Sequence, residues 1–197
     1  MKPFSQACEN NKQSILEVLV NYFPSQTRIL EIGSGTGQHA VYFAEQQSGW
    51  QWQTSDRPVN HLGIKTWIAE KQLANVLPPV NLDVSQWPWP AIDADQVFSA
   101  NTCHIMAWPM VTAMLQGVAK LLPDKGYFCL YGPFKVAGCF TSANDERFDA
   151  QLRSENPVMG LRAIEDLQQL AADHGLNFIA RHNMPANNFI LVWQKLC

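Results

Sequence analysis

The chain has no C-x-x-C pair, no cluster of lysine or arginine, and no uninterrupted apolar run approaching membrane-spanning length. Its five cysteines, at positions 8, 103, 129, 139 and 197, are odd in number, which argues against a disulfide framework. Cys129 lies in an apolar strand pattern, where a reduced, buried thiol is expected. The five histidines, at 39, 61, 104, 174 and 182, are too scattered to suggest a metal site. With no apolar signal segment at the N-terminus, a soluble, cytoplasmic protein without membrane contact is expected. Fourteen basic residues stand against 17 acidic ones, a net charge of −3. Non-specific nucleic-acid binding draws chiefly on basic contacts to phosphate, so a small-molecule partner is expected rather than DNA or RNA. A chain of 197 residues is expected to form one α/β domain over 1–197.

What is present is concentrated in Arg28-Ile-Leu-Glu-Ile-Gly-Ser-Gly-Thr-Gly-Gln-His39. A β-branched run ends in glycines at 33, 35 and 37, and an apolar-periodic segment follows at once. This outlines a strand, a tight loop and a helix whose N-terminus offers free N–H groups to a polar ligand. A dinucleotide fingerprint would need glycine at 38, where Gln38 stands, and a phosphate-binding P-loop would need a Gly-Lys-Ser/Thr ending. A second strand, Trp50–Asp56, ends in a carboxylate 19 residues after Gly37. That spacing suits hydrogen bonds from ribose hydroxyls. Val76–Val84 reads as a third strand, ending at another acid, Asp83.

The remaining pattern alternates helices and strands. Ile15, Val18, Leu19, Tyr22 and Phe23 form a helical stripe closed by Pro24, and Ala40, Val41, Phe43 and Ala44 another after the glycine loop. A third helix runs from Asn60, as N-cap, through Ile64, Trp67 and Ile68. Gln96–Asn101 is a fourth strand, and Trp108, Val111, Leu115, Val118 and Leu122 form a stripe read as core. Gly126–Tyr131 is a fifth strand. A short helix is expected around 143–153, and a late one carries Ile164, Leu167, Leu170 and Ala171 and stops at Gly175. Asn177–His182 and Phe189–Trp193 are joined too closely to be anything but antiparallel. A terminal hairpin disfavours a nicotinamide-dependent dinucleotide fold, which would continue with another crossover.

The E-x-G-x-G-x-G pattern resembles motif I of the class I S-adenosylmethionine (SAM)-dependent methyltransferases. Asn-Asn-Lys-Gln-Ser-Ile-Leu, Glu-Ile-Gly-Ser-Gly-Thr-Gly-Gln-His-Ala, Leu-Asp-Val, Tyr-Gly-Pro-Phe and Met-Pro-Ala-Asn-Asn together resemble domain of unknown function 938, a methyltransferase-like 26 type family. Asn10 departs from that pattern, where arginine is expected. The resemblance implies a three-layer Rossmann-like α/β fold, with a mostly parallel seven-stranded sheet ending in an antiparallel hairpin. It implies SAM as cofactor. Gly33, Ser34, Gly35 and Gly37 would pass its methionine part, Glu31 would help hold its ammonium end, Asp56 its ribose and Asp83 its adenine amino group, with Val84 and Asn101 completing the set.

For the methyl acceptor, Asn101-Thr-Cys-His104 follows the fourth strand and lacks the Asn/Asp-Pro-Pro-aromatic motif of many amino-group methyltransferases. His104 is a candidate general base, and Tyr131, ending the fifth strand, is a second candidate catalytic residue. The long segment 133–160, with Phe134, Phe140, Asn144 and Phe148, is expected to form an insertion on the substrate side. The hairpin turn at Asn187 and Asn188 lies on that side too. The expected activity is methyl transfer to an unidentified small molecule. The alternatives are SAM or nucleoside binding without catalysis and, less favoured, a nicotinamide-dependent oxidoreductase.

Overall fold

The computed structural model describes residues 2–196. Seven strands lie in one sheet: β1 (Thr27–Ile32), β2 (Trp50–Asp56), β3 (Val76–Asn81), β4 (Gln96–Ala100), β5 (Tyr127–Pro133), β6 (Leu176–Met184) and β7 (Asn188–Lys195). Their order is β3-β2-β1-β4-β5-β7-β6. The central strands are apolar on both faces, as expected where helices cover both sides, and Ile29 and Leu30 on β1 have no exposed surface. The first five strands run parallel, whereas β7 is antiparallel to both β5 and β6. The expected Rossmann-like sheet with its terminal hairpin is therefore the one observed. Strand order reverses between β1 and β4, the place where open α/β sheets leave a crevice beyond the strand carboxyl ends.

Two apolar layers sandwich the sheet. On one face Ile15 and Leu19 of α1 (Gln6–Leu19) and Phe43 of α2 (Gln38–Gln46) pack on Trp52 and Phe98, with α3 (Pro58–Lys71) alongside. On the other, Val111 and Leu115 of α4 (Trp108–Leu121) and Leu167 of α6 (Ile164–Ala172) pack on Leu30, Val97 and Phe128. The segment between β5 and α6 holds α5 (Ala143–Glu155), and Ser142 caps it by accepting from the Asp145 N–H at 3.1 Å. The outermost strand β3 carries Pro78 and Pro79. Cys103 and Cys129 are free and buried, as expected for Cys129, while Cys197 lies outside the described residues. Among the described residues no helix is long and apolar enough to cross a membrane.

Four local expectations are corrected. The first helix ends at Leu19, because the Asn21 amide donates to the carbonyls of Glu17 (2.7 Å) and Val18 (3.3 Å) and takes over last-turn acceptors. Phe23 is still buried, through a turn. The N-cap of α3 is Arg57, not Asn60, since Pro58 suits the first helical position. The third strand stops at Asn81, and Asp83 folds into a turn by accepting from the Ser85 N–H at 3.0 Å. Trp108 is no core residue: it opens α4 at 37% exposure, with the Arg162 guanidinium 6.0 Å from its ring centre.

Candidate active site

The glycine loop is stitched to β2, where the Ser55 carbonyl accepts the N–H groups of Gly33 (3.1 Å) and Ser34 (2.9 Å). A Cβ on Gly33 would stand 2.6 Å from Thr102 Cγ2, so only glycine lets Thr102 reach across from beyond β4. Thr102 is held there by a 2.7 Å hydroxyl contact with Ser99. Gly35 also has positive φ, at +56°, but a Cβ there would meet nothing within 4 Å. The loop thus turns a bare backbone crest toward open space, as close approach by a ligand requires.

That space is a cleft of about 580 Å³ beyond the carboxyl ends of β1, β2 and β4. Gly33, Ser34, Gly35, Asp56, Asp83, Val84 and Asn101 all border it. Asp56 ties the floor together: its Oδ2 accepts the Gly35 N–H at 2.8 Å, and its Oδ1 accepts the Arg57 N–H at 2.7 Å and the Asn60 amide at 2.8 Å. Asp83 Oδ1 accepts from Ser85, whose hydroxyl at 2.6 Å and backbone N–H hold the carboxyl below its usual range; its Oδ2 has no partner among the described residues. Leu82, Val84, Met106 and Met110 add apolar surface beside this acid. The result is an apolar slot with one available carboxylate oxygen, suited to a flat heterocycle with an amino group. Asn101 adopts φ of +58°, an excursion asparagine tolerates, and its N–H donates to the Tyr131 carbonyl at 2.9 Å.

Four of the expected site residues do not border the cleft. Gly37 starts α2 with φ of +90°, and a Cβ on it would stand 3.1 Å from Ile64 Cα. Glu31 is fully buried behind the loop, where its Oε2 accepts the Trp52 indole N–H at 3.1 Å. Burial pushes its carboxyl up to about 7, Asp56 adding to the rise while Ser34 and Trp52 oppose it. His104 lies in the short turn Cys103–Ile105, edge-on to Phe148 of α5, and its carbonyl accepts the Gly160 N–H at 2.9 Å. Burial, with Arg162 adding to it, pushes its imidazole down to about 4. Tyr131 is buried on the α1 face, where burial raises its hydroxyl pKa and Asn11 partly offsets the rise.

Other residues on the cleft were not anticipated. Ser5 and Cys8 reach it from the N-terminal segment, His39 from α2, Ile105 and Met106 from the turn after β4, and Asn156 and Val158 from the 133–160 segment. His39, two positions beyond the last loop glycine, was within reach of the motif reading. The N-terminal pair depends on a fold-back with no local signal. Ser5 N–H donates to Gln38 Oε1 at 2.6 Å, so the residue that replaces a dinucleotide-type glycine anchors this segment. Asn10, by contrast, is exposed and pairs with Gln6 at 2.9 Å. Asn187 of the hairpin turn donates to Ser142 Oγ at 3.0 Å, joining the turn to the start of α5.

The fold is that of solved methyltransferase structures. It matches an O-methyltransferase family 2 protein from Planctomyces limnophilus, solved in complex with apigenin, with a TM-score of 0.85 at 15% identity, covering 96% of this chain and 58% of that one. An O-methyltransferase family protein from Burkholderia thailandensis matches at 0.81 and 14%, covering 94% and 56%. An O-methyltransferase from neocarzinostatin biosynthesis, solved with SAM and 2-hydroxy-5-methyl naphthoic acid, matches at 0.78 and 17%, covering 96% and 55%. The chain spans a little over half the length of each of these proteins. The model of the family described as protein of unknown function (DUF938) matches residues 2–195, and the chain belongs to that family.

Proposed function

We propose that the protein is a SAM-dependent methyltransferase of small molecules, of the methyltransferase-like 26 type. The observation that carries this reading is the cleft itself, which the open glycine crest after β1, Asp56 at the end of β2 and Asp83 beyond β3 all border. Asp56 would take the ribose hydroxyls, Asp83 Oδ2 the adenine amino group, and Leu82, Val84, Met106 and Met110 the ring faces. Gly33, Ser34 and Gly35 would lie along the methionine part. Glu31 would act on it through Ser34. When bound, SAM supplies a methyl group already activated on a sulfonium sulfur. The protein's part is then alignment and removal of water, which can account for much of the acceleration in such a transfer. The balanced charge, and the missing Asn/Asp-Pro-Pro-aromatic motif, favour a small acceptor over nucleic acid or an amide nitrogen.

Calorimetric titration with SAM, S-adenosylhomocysteine (SAH) and NAD is the test, followed by incubation with methyl-tritiated SAM and a protein-free metabolite extract. Micromolar binding of SAM and SAH, negligible binding of NAD and a labelled small product are expected. Binding of NAD in preference to SAM would overturn the assignment. SAM binding without any labelled product would favour a non-catalytic binder.

A further inference from the structure

Asn11 of α1, His39 of α2 and Tyr131 of β5 are buried on the α1 face of the sheet, and of the three His39 borders the cleft. Asn11 and His39 are 6% and 5% exposed. His39 Nε2 lies 2.7 Å from Asn11 Oδ1, an atom that only accepts, so Nε2 carries the proton and Nδ1 the lone pair. The Asn11 amide also partly offsets the rise that burial gives the Tyr131 hydroxyl pKa. The imidazole stacks on Phe43 with ring centres 5.3 Å apart and meets Phe98 edge-on, so its orientation is fixed.

No hydrogen bond among the described residues engages His39 Nδ1. It is also not one of the sealed, unpaired atoms, which are Thr27 Oγ1, Arg162 Nε and Trp193 Nε1. His39 borders the cleft beside Cys8 and Thr36. Nδ1 is thus an acceptor open to the cleft without a protein partner, and a molecule that fills the cleft and displaces water there must supply its hydrogen bond or leave it unpaired.

We propose that His39 binds the methyl acceptor on this side of the cleft, its Nδ1 receiving a hydrogen bond from a hydroxyl or other neutral donor, with Asn11 holding the imidazole in place. The inference rests on the methyltransferase reading above and adds to it the site and chemical class of the acceptor. An anionic head group finds no uncommitted cation here. Lys12, the nearby ammonium, is paired with Glu9, and the Glu31 carboxyl stands close enough to Cys8 to raise its thiol pKa. Burial, opposed by Glu9 and reinforced by Lys12, pushes the His39 imidazole down to about 4, so it meets the acceptor as a neutral base.

Two substitutions separate the roles of the two ring nitrogens. Asparagine carries its oxygen near the place of Nδ1, whereas glutamine reaches the place of Nε2. Losing the cleft-side acceptor leaves a donor unpaired, worth roughly 1–3 kcal/mol or about ten- to hundredfold. His39→Gln should therefore keep the tie to Asn11 yet lower tritium transfer from SAM to the extract by that factor. His39→Asn should retain the larger share of transfer. SAH affinity by calorimetry should be unchanged in both, and labelled product should appear in the neutral fraction of the extract. In imidazole nitrogen NMR of the SAH-saturated wild type, that neutral fraction should shift the His39 Nδ1 resonance. Full transfer by His39→Gln would reduce the histidine to a tie between α1 and α2 and overturn the inference. So would weakened SAH binding in His39→Gln, which would make Nδ1 a cofactor contact, or product confined to the anionic fraction. If the wild type neither binds SAH nor transfers label, the reading beneath fails and takes the inference with it.

Discussion

Gln38 clasps Ser5 at both ends of one residue, its Oε1 accepting the Ser5 N–H at 2.6 Å and its Nε2 donating to the Ser5 carbonyl at 3.3 Å. The same amide donates to Glu9 Oε1 at 2.6 Å, so the start of α1 is held over the glycine loop. Together with the Trp67 indole N–H, which donates to the Pro3 carbonyl at 2.8 Å, this clasp keeps Ser5 and Cys8 on the cleft. Gln38→Ala should loosen the segment and weaken SAM binding by about tenfold, in line with the net loss of one or two hydrogen bonds. Calorimetry checks this, and unchanged affinity would mean that the segment contributes nothing to the cofactor site.

Asp56 joins three donors from the loop and from α3 while bordering the same cleft. Asp56→Ala should cost about ten- to hundredfold in SAM affinity, or roughly 1–3 kcal/mol. Asp56→Asn, which keeps one acceptor oxygen, should fall between. Titration of both variants, with circular dichroism to confirm folding, decides the matter; a folded Asp56→Ala protein with wild-type affinity would remove Asp56 from the site.

Glu31 makes stability depend on pH in an unusual direction for a carboxylate. Its folded pKa of about 7 lies above the ordinary 4.5, so between those values the native state holds the proton more tightly than the unfolded chain does. This stabilisation is fully present below the unfolded value and is lost as pH rises through the folded one. It amounts to roughly 3 kcal/mol for a shift of that size. Glu31→Gln should abolish the dependence. Melting temperatures of both proteins across about pH 5 to pH 8 should show the variant gaining on the wild type as pH rises; parallel curves would refute the assignment.

His104 is expected to behave as a packing group. Its folded pKa, about 4, lies below the ordinary 6.5, so its contribution is present above the latter and lost as pH falls through the former. His104→Ala should lower stability by roughly 1–3 kcal/mol at neutral pH and reduce the loss of stability on acidification. Methyl transfer to the extract, once detected, should stay near the wild-type rate. A fall of about 10²–10⁴ with normal stability would instead restore His104 as the general base.

The glycine-loop side of the cleft was legible because its signals are local. Strand, glycine loop and helix follow one another, and Asp56 and Asp83 stand at or just past the ends of the next two strands. The side proposed for the acceptor depends on contacts between distant segments. Asn11 and His39 are 28 positions apart and meet only once α1 has folded onto α2. Alternation along β5 could be read from the chain, but not which face carries the cleft; Tyr131 and Cys129 turn toward α1, while Leu130 turns toward α4 and α6. Trp108 matched its helical stripe, yet at the first position of α4 a side chain can lie outside the layer that later turns bury.

The two prolines of β3 bear on how copies of the protein can meet. An outer strand normally offers a ladder of N–H and C=O groups to any passing chain, the route to sheet extension and aggregation. Pro78 and Pro79 have no N–H to offer, and because the N–H groups of successive strand residues point to opposite edges, one of the two removes a rung from the outer margin of the sheet. A second copy cannot add a regular strand there, and self-association along that margin is blocked by the backbone itself.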